Sequence, residues 1–480
     1  MKGKNRHRYQ KKALQKAFAI FLGILTMTVM ACSSSEPDAP TGQSELPETP
    51  TEPEPEPDPE VPEITDEELL DLTQRETFKY FWDYAEVNSG AARERFHPNE
   101  PSNDPNTVSI GGTGFGLMAL IIGAERGFIS RNESVQRIEQ ILSFLETADR
   151  FHGAWPHWLD GTNGTVRPFS EMDNGGDLVE TAFLAQGLIC IKEYFKDGDD
   201  TEKSLANKAD TLWKGVEWNW YTQDKNSLYW HWSPNFGFDI NLELKGYNEV
   251  MIAYIMAAAS PEYSIEKDVY TYGWASNGAI NDAASAYNIP LVVDHAGNSP
   301  NGGPLFFSHY SYLGLRPQNL NDEFVDYGAA AINHAKINYL YCVENPKNFI
   351  DYGENCWGLT ASYSRNTDGT LGYNAHSPSN DTGIISPTAA ISSIPYTPEE
   401  SLKALRYFYQ HKDKLLGPAG FYDAFSPQNN FWVAEAYLAI DQGPEIIMIE
   451  NYRTGLLWNL FMQNEDIQNG LNKLGFTYEK

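Results

Sequence analysis

The sequence SEMDNGGDLVETAFL, residues 170–184, places a crowded acidic bend directly before an apolar helix. Asp173, Asp177 and Glu180 fall within eight residues of one another. Crowded carboxylates repel each other, so a cation, hydrogen bonds, a substrate or a raised pKa must hold at least one of them. The local alternative is a capping box, in which Asp177 is the N-cap and Glu180 reaches back to its amide. The stretch therefore predicts a functional site, a helix start, or both.

Apolar and amphipathic helices are expected on both sides of this stretch. The first, at about 65–88, begins with the capping box Thr65-x-x-Glu68. The glycine-rich run 111–116 lacks the preceding strand and following lysine of a nucleotide loop, so we interpret it as a place where helix backbones approach closely. Further helices are expected near residues 132–148, 177–195, 201–221, 247–259, 322–343, 385–392, 398–411, 431–440 and 444–461.

This pattern predicts an all-α fold of about twelve helices. Apolar and half-exposed helices alternate, and the loops are loaded with functional side chains, which favours an (α/α)6 toroid with long active-site loops. A helical solenoid is the rival architecture, but its units would be more alike. A small β-hairpin is expected over residues 227–244, with its turn at Pro234 and Asn235.

The first 31 residues resemble a lipoprotein signal peptide. Seven Lys or Arg occur in the first sixteen positions, before a short apolar run. The sequence VMAC at 29–32 resembles a lipobox, which implies cleavage before Cys32 and lipidation of its thiol. The alternative is an ordinary signal peptide with a chance cysteine. Residues 33–63 hold nine prolines and ten acids, so residues 32–63 are expected to form an extended tether.

The expected result is a cell-envelope lipoprotein, in the outer membrane and facing the periplasm or the surface, with a folded domain at 64–480. Its formal charge of −30 argues against nucleic acid, because few cations are available to displace phosphate counterions. A strongly acidic, self-repelling domain is expected to be monomeric and to contact the membrane only through its lipid anchor. Cys190, Cys342 and Cys356 are interpreted as small core residues rather than as a disulfide framework or a metal site.

Nearly every loop between the expected helices carries aromatic side chains beside polar ones. Aromatic rings stack on sugar rings while fixed polar groups bind the hydroxyls, so this composition favours a neutral glycan. Neither a metal nor a cofactor is expected, because HExxH and CxxC motifs are absent, as is GxSxG. The candidate substrate-binding residues are Arg93, Trp155, His157, Trp357, Tyr373, Tyr422, Asp423 and Trp432.

Hydrolysis of a glycosidic bond requires one protonated carboxyl group and one ionised carboxylate. Glu249 is the only charged residue in YNEVMIAYIMAAA, residues 247–259, and an apolar helix end raises a carboxyl pKa by desolvation. Stabilisation by the helix dipole is the local alternative for Glu249. Asp173 and Asp177, on a polar loop, are the expected ionised partners. Glu180 is expected to position either of them or to bind a sugar hydroxyl.

Three long runs carry a family resemblance: SIGGTGFGLMALIIGAERGFISR at 109–131, YGENCWGLTASYS at 352–364, and the stretch 417–459 beginning GPAGFYDAFSPQNNFWVAEAYLAID. They resemble the glycoamylase-like family of bacterial lipoproteins. With the acidic stretch 170–184 and YNEVMI at 247–252, they are most similar to glycoside hydrolase family 144, whose characterised members act on β-1,2-glucan. The resemblance spans about residues 64–475.

The resemblance implies an (α/α)6 barrel, no metal, and attack by water that inverts the anomeric centre. The acidic cluster of that family falls on Asp173, Asp177 and Glu180, and its further essential glutamate falls on Glu249, the implied general acid. Asp177 is the first candidate for the base, followed by Asp173 and Asp423.

The predicted function is hydrolysis of β-1,2-glucan or its oligosaccharides, either within the chain or by release of sophorose from an end. A glycan-binding surface lipoprotein without catalytic activity and a glucan-transferring relative are the alternatives.

Overall fold

The structure is a computed structural model that describes residues 64–479. The predictions of a signal peptide, a lipidated Cys32 and an acidic tether concern positions outside the described residues and stay predictions. Within 64–479, no helix has the length and apolarity needed to span a bilayer.

Twelve α-helices of five or more residues occur in the described part of the chain. They are α1 (Asp66–Trp82), α2 (Ile110–Glu125), α3 (Arg131–Thr147), α4 (Leu178–Phe195), α5 (Asp200–Lys214), α6 (Met251–Ala259), α7 (Tyr327–Glu344), α8 (Pro387–Ile391), α9 (Pro398–Gln410), α10 (Ala439–Arg453), α11 (Leu456–Met462) and α12 (Glu465–Leu474). Helix α1 begins with the expected capping box between Thr65 and Glu68. Ser130 and Asp326 cap α3 and α7 through their side chains.

Buried and half-exposed helices alternate along the chain, as the sequence pattern predicts. Helices α2, α4, α6, α8 and most of α10 are buried on every side, whereas α1, α3, α5 and α9 bury one face. The buried helices contact one another in the order α8, α10, α2, α4, α6. Two 3-10 turns, Leu305–Ser308 and Tyr310–Tyr312, complete this inner layer, and a hydrogen bond of 3.0 Å from His309 to Ser393 ties them to the end of α8. The fold is an (α/α)6 toroid.

Two glycines allow α2 and α4 to approach closely. A Cβ atom on Gly114 would lie 2.4 Å from the carbonyl oxygen of Phe183, and one on Gly187 would lie 2.3 Å from the carbonyl oxygen of Gly114. Neither atom can move without displacing helix backbone, so any side chain here would push the two helices apart. This contact confirms that the glycine-rich run serves helix packing.

Within residues 64–479, fifteen short strands occupy the connections between the helices. They are β1 (Arg95–Phe96), β2 (Thr107–Ser109), β3 (Trp158–Asp160), β4 (Val166–Arg167), β5 (Gly176–Asp177), β6 (His231–Trp232), β7 (Asn281–Ala286), β8 (Ile289–Val293), β9 (Ala361–Arg365), β10 (Leu371–Ala375), β11 (Leu416–Gly417), β12 (Gly420–Phe421), β13 (Ala424–Ser426), β14 (Trp432–Ala434) and β15 (Tyr437–Leu438). All pairings are antiparallel, within β2-β3-β4 and in the pairs β1-β15, β5-β6, β7-β8, β9-β10, β11-β12 and β13-β14.

The expected hairpin at 227–244 is present in part. Its arms meet at the bridge Tyr229↔Glu243 and at Ser233↔Gly237, but its one regular strand, β6, pairs with β5 instead. That pairing matters for the site, because it sets His231 opposite Asp177.

Two helix predictions near the C-terminus need correction. The segment 431–440 is mostly extended, since β14 and β15 pair with β13 and β1 and so satisfy their backbone groups in sheets. The following helix begins at Ala439, with Pro444 inside its second turn, and ends before Gly455, whose φ of 71° interrupts the helical path. The interpretation of Cys190, Cys342 and Cys356 as core residues is confirmed, because all three are free and buried.

We expect Gly114→Ala to destabilise the fold by about 1–3 kcal/mol, the usual cost of an extra methyl group in a closely packed interior. Urea unfolding followed by circular dichroism measures the change. Gly353→Ala is the matched control, because the nearest atom to its added Cβ is 3.9 Å away. Equal stability of the two variants would contradict the close approach of α2 and α4.

Candidate active site

One cavity of about 370 Å³ opens at the end of the buried helices α2, α4 and α6. Its volume is in the range of about 300–1,000 Å³ typical of small-molecule sites. Its wall is formed by Glu94, Arg95, Ser109, His157, Trp158, Phe169, Glu180, Phe183, Trp230, Glu249, Phe306, Tyr310, Ala361, Tyr373, Leu438 and Ile440.

The carboxylates of the acidic stretch 170–184 make different contacts. Asp177 is the N-cap of α4, and its Oδ1 accepts hydrogen bonds of 3.0 Å from the amides of Val179 and Glu180. Glu180 does not reach back to Asp177, so the second half of the expected capping box is wrong. Its Oε2 accepts instead from the Gly111 amide at 2.8 Å, which brings Glu180 to the start of α2 and into the cavity wall.

Two histidines join the aspartates in a buried network. His157 Nδ1 donates to Asp177 Oδ2 at 2.9 Å, and His231 Nε2 lies 3.1 Å from Asp173 Oδ2 and 3.6 Å from Asp177 Oδ2. On its other side, His157 Nε2 lies 3.9 Å from Glu180 Oε1. We call His157, Asp173, Asp177 and His231 the His-Asp cluster. With both imidazoles protonated, its charges balance.

Electrostatics favours that charged form. Burial by itself lowers the pKa of His157, but the charge of Glu180 and the hydrogen bond to Asp177 raise it to about 9. Burial likewise opposes protonation of His231, and the hydrogen bonds to Asp173 and Asp177 raise its pKa to about 9. Burial would raise the pKa of Asp177, yet the two imidazoles hold it well below its usual range.

Glu249 reaches the same cavity from the start of α6. It stands two residues before the helix, where Ser311 donates to the Glu249 carbonyl at 2.6 Å. Glu249 is half-buried and borders the cavity. Desolvation is the main cause that raises the pKa of its carboxyl to about 7, and the charge of Glu180 adds to it.

Glu180 is the second acid of the wall whose pKa is raised. Burial raises its pKa, while the charge of His157 acts in the opposite direction. The third acid of the wall, Glu94, is neutralised by Arg95, whose Nη2 donates to Glu94 Oε1 at 2.9 Å. Among the acids of the wall, Glu180 and Glu249 are therefore the pair available for acid–base chemistry.

A further set of buried carboxyls lies outside the cavity wall. Asp423 accepts from the Tyr363 amide at 2.6 Å and adjoins Asp441, and both are about 2% exposed. Burial raises the pKa of Asp423 to about 6 and that of Asp441 well above its usual range. Glu445 follows one turn further along α10, where burial raises its pKa to about 8 and Thr77 donates to it at 2.6 Å.

The predicted substrate contacts fall into three groups. His157 and Tyr373 line the cavity, and Tyr373 is 55% exposed there. Trp155 and Trp357 have no exposed surface, so the prediction that they contact substrate directly is corrected. Trp155 supports the site from behind, because its carbonyl accepts from the Asp177 amide and its amide donates to Thr181, each at 2.9 Å.

The remaining four predicted contacts lie beyond the cavity wall. Arg93 is 6% exposed, and its guanidinium donates to the Pro101 and Asn103 carbonyls at 3.4 Å. Tyr422 packs on Tyr437, and Trp432 is part of β14. With Asp423 buried as described above, none of these side chains borders the cavity.

Several wall residues carry no distinctive sequence signal. Phe169 is 52% exposed, and its ring centroid lies 4.4 Å from that of His157. A lone phenylalanine in a loop nevertheless gives no sequence signal of a site. Trp230 and Tyr310 are single members of long aromatic-rich segments. Glu94 belongs to no motif, and Ser109 opens the run 109–131 but is there the N-cap of α2. Only the fold brings these residues together.

The His-Asp cluster also has the donor set of a cation site. One ligand atom from each of His157, Asp173 and Asp177 lies within 4.8 Å of the others. These atoms are already engaged with one another and with His231 in the hydrogen bonds given above. The chemistry proposed below uses no metal.

Comparisons with known proteins agree with this fold. The family model described as "Putative glucoamylase" (Glycoamylase) matches residues 241–465. The endo-β-1,2-glucanase of Chitinophaga pinensis, solved with sophorotriose and glucose, is 52% identical, with a TM-score of 0.84 over 87% of this chain and 99% of that chain.

Two further relatives are a longer protein and one of much lower sequence identity. The exo β-1,2-glucooligosaccharide sophorohydrolase (non-reducing end) of Parabacteroides distasonis is 47% identical over 434 residues, which is 86% of this chain. The chain spans only 58% of that relative's length. The endo-β-1,2-glucanase of Talaromyces funiculosus, solved with sophorose, is 13% identical with a TM-score of 0.65 over 85% of this chain and 90% of that chain, a likeness of fold.

A helical toroid with paired carboxylates in one cavity at its helix ends defines the class of (α/α)6 glycoside hydrolases. Within that class, the chain belongs to the glycoamylase-like family that includes the Chitinophaga pinensis enzyme.

We expect the free energy of unfolding to depend on pH through the two protonated imidazoles. A folded pKa of about 9, above the ordinary value of about 6.5, gives stabilisation that is complete below pH 6.5 and lost as the pH rises to 9. His231→Gln should therefore lose less unfolding free energy across this window than the wild type, by up to about 3 kcal/mol. Urea unfolding at pH 6.5 and pH 9 measures it.

His97→Gln is the control for this experiment. Burial lowers the pKa of His97, so its contribution does not change between pH 6.5 and 9, and this variant should follow the wild type. If His231→Gln and the wild type lost the same free energy, the ion pair of His231 with Asp173 would be contradicted.

Proposed function

We propose that this chain hydrolyses β-1,2-linked glucan or its oligosaccharides. The observation that carries the proposal is the pair Glu180 and Glu249, two carboxylates on one cavity wall in unlike surroundings. The 52% identical Chitinophaga pinensis relative and the 47% identical Parabacteroides distasonis relative are both named for action on β-1,2-linked glucose chains, which supports the choice of linkage.

Glu249 is the general acid in this proposal. A carboxyl group must be protonated at neutral pH to give a proton to the departing glycosidic oxygen, and desolvation raises the pKa of Glu249 to about 7. Its partner Glu180 adds to this effect, because a negative charge nearby disfavours a second one.

Glu180 is the proposed general base. Burial raises the pKa of Glu180, but the imidazolium of His157, 3.9 Å from its Oε1, and the Gly111 amide, which donates to its Oε2, both act in the opposite direction. A carboxylate held in this way can take a proton from a water molecule that attacks the anomeric carbon. Attack opposite to the leaving group inverts the configuration, as expected for an inverting enzyme with separate acid and base.

Asp177 is the first candidate for the base by sequence, but we propose another role for it. Both of its carboxylate oxygens are occupied by amides and imidazoles, and it does not border the cavity. We propose that it positions His157, which in turn holds Glu180. Asp173 serves His231 in the same manner.

The aromatic side chains of the wall suit the sugar rings of the substrate. Phe169 and Tyr373 are each more than half exposed, and Trp158 and Trp230 border the same cavity. Exposed aromatic faces stack on the C–H faces of glucose units while the carboxylates address the bond to be cleaved. The two cations of the wall, Arg95 and the imidazolium of His157, are each paired with a carboxylate, which suits a neutral glycan rather than an acidic one.

We expect Glu249→Gln to lower the rate of glucan cleavage about a thousandfold, because the loss of a general acid costs roughly 10²–10⁴ in rate. Reducing-sugar release and chain-length analysis on β-1,2-, β-1,3-, β-1,4- and α-1,4-glucans measure the effect. Only the β-1,2-linked chains should be cleaved. Sophorose as sole early product would indicate action at a chain end, and mixed lengths would indicate action within the chain.

Glu445→Gln is the matched control. Glu445 is a buried carboxyl with a pKa raised to about 8, but it lies outside the cavity, so its amide variant should keep the wild-type rate. A wild-type protein that binds β-1,2-glucan without releasing sugar would favour a glycan-binding protein and contradict the proposal. Products longer than the substrate would favour a glucan-transferring enzyme.

A further inference from the structure

One residue of the cavity wall, Arg95, combines a fixed position with hydrogen-bond donors that the protein does not use. It lies in β1 and pairs with Leu438 of β15, which also borders the cavity. The backbone of the preceding residue, Glu94, is held on two sides. Its amide donates to the Thr107 carbonyl at 2.9 Å, and its carbonyl accepts from the Ala439 amide at 3.1 Å. The segment that carries both side chains is therefore anchored to β2 and to the start of α10.

The guanidinium of Arg95 is itself held by Glu94. Its Nη2 donates to Glu94 Oε1 at 2.9 Å, and its Nε donates to Oε2. A contact at two points fixes the plane of a guanidinium as well as its position. The ring of Tyr363, whose hydroxyl lies 2.9 Å from His97 Nε2, flanks the group, with its centroid 5.9 Å from Arg95 Cζ. The guanidinium thus has a set orientation before a ligand binds.

At least two N–H groups of this guanidinium have no acceptor in the described part of the chain. A guanidinium carries five N–H groups. Glu94 accepts from two of them, and the hydroxyl of the neighbouring Tyr363 could at most take a third. The side chain of Arg95 is 39% exposed and borders the cavity, so a ligand in the cavity can reach it. The wall therefore presents accessible donors that are already oriented.

Other arginines have structural partners instead. Arg93 is 6% exposed and donates to two backbone carbonyls, as described above. Arg126 makes the same kind of two-point contact as Arg95, because its Nε and Nη2 donate to Glu450 at 2.8 and 2.9 Å. The side chains of Arg126 and Glu450 are only 19% and 2% exposed, and neither borders the cavity. Among the arginines of residues 64–479, only Arg95 belongs to the cavity wall.

We propose that Arg95, held in place by Glu94, is a substrate-binding residue whose free N–H groups donate hydrogen bonds to adjacent hydroxyls of one glucose unit in the cavity. This inference rests on the proposed function, because it takes a glucose chain as the ligand. The forked shape of a guanidinium suits two neighbouring oxygens. Each inner unit of a β-1,2-linked chain keeps adjacent free hydroxyls at carbons 3 and 4, whereas an inner unit of a β-1,3-linked chain has no adjacent pair.

The ion pair with Glu94 adapts this arginine to an uncharged ligand. A guanidinium without a carboxylate partner attracts anions through its net charge. Paired with Glu94, it keeps its outward donors while the charge is balanced. Hydrogen bonds from a fixed group also hold the bound sugar unit in one orientation, which is a requirement for placing the bond to be cleaved against the acid and the base.

The test compares Arg95→Lys with Arg126→Lys. Each variant keeps a positive charge beside its glutamate but loses the fork. Arg95→Lys should lower kcat/KM on β-1,2-glucooligosaccharides about tenfold or more, since hydrogen bonds from a charged donor to the substrate are lost. Arg126→Lys should keep kcat/KM within about twofold of the wild type. Its melting temperature should fall at least as far as that of Arg95→Lys, because the ion pair that it disturbs is the more buried one.

Sugar-dependent stabilisation provides a second measurement that does not require catalysis. Sophorose at millimolar concentration should raise the melting temperatures of the wild type and of Arg126→Lys equally, and that of Arg95→Lys clearly less, because its binding to the folded state is weakened. Wild-type kcat/KM or wild-type sophorose stabilisation in Arg95→Lys overturns the inference, since Arg95 would then serve only to neutralise Glu94. A larger fall in melting temperature in Arg95→Lys than in Arg126→Lys would assign Arg95 to the fold and overturn it as well.

Failure of the proposed function has a different signature. A wild-type protein that releases no sugar from β-1,2-glucan would contradict the hydrolase, whereas the comparison of sophorose stabilisation between the wild type and Arg95→Lys would still decide the role of Arg95. A wild-type protein that neither releases sugar nor is stabilised by sophorose would contradict both.

Discussion

The site depends on the carboxylate of Asp177. This side chain has no exposed surface, yet it makes four polar contacts: two amides at the start of α4 on one oxygen, and the imidazoles of His157 and His231 on the other. A buried charge is tolerated only when it is paired and hydrogen-bonded, and here the pairing also joins a helix start, a β-pair and two loops. Removing the charge would leave the imidazoles of His157 and His231 without their common partner, so the positions of both histidines depend on this one group.

The proposed roles of Glu180 and Glu249 differ because their surroundings differ. The network holds His157 beside Glu180, whereas Glu249 enters the cavity from an apolar helix and has no cationic neighbour of its own. Burial raises the pKa of both carboxyls, but only at Glu180 does a cation act in the opposite direction, so the two acids of one cavity have unlike surroundings. Unlike environments for two acids are what general acid–base cleavage of a glycosidic bond requires. The toroid makes this possible because its buried helices bring distant parts of the sequence to one end.

The layered helical fold was predictable, because apolar and half-exposed helices alternate over several hundred residues and the period of each is clear. Glu180 and Glu249 were predictable as members of the site, because Glu180 belongs to the crowded acidic stretch 170–184 and Glu249 is the only charged residue of an apolar segment. The sequence could not show that Asp177 is occupied by His231, since that contact depends on the pairing of β5 with β6, two strands of two residues each. Burial of Trp155 and the exposure of Phe169 escaped prediction for the same cause, because loop aromatics look alike until the loops are packed.

The proposed acid Glu249 must still carry its proton in a large fraction of molecules near pH 7, while the residues of the His-Asp cluster are charged. A carbon-13 NMR titration of protein labelled at the glutamate side-chain carboxyl carbons measures this protonation, with the resonance of Glu249 assigned from its absence in Glu249→Gln. We expect a midpoint at about pH 7. A midpoint at the ordinary glutamate value of about 4.3 would show that the carboxyl is ionised at neutral pH and would contradict its role as the acid.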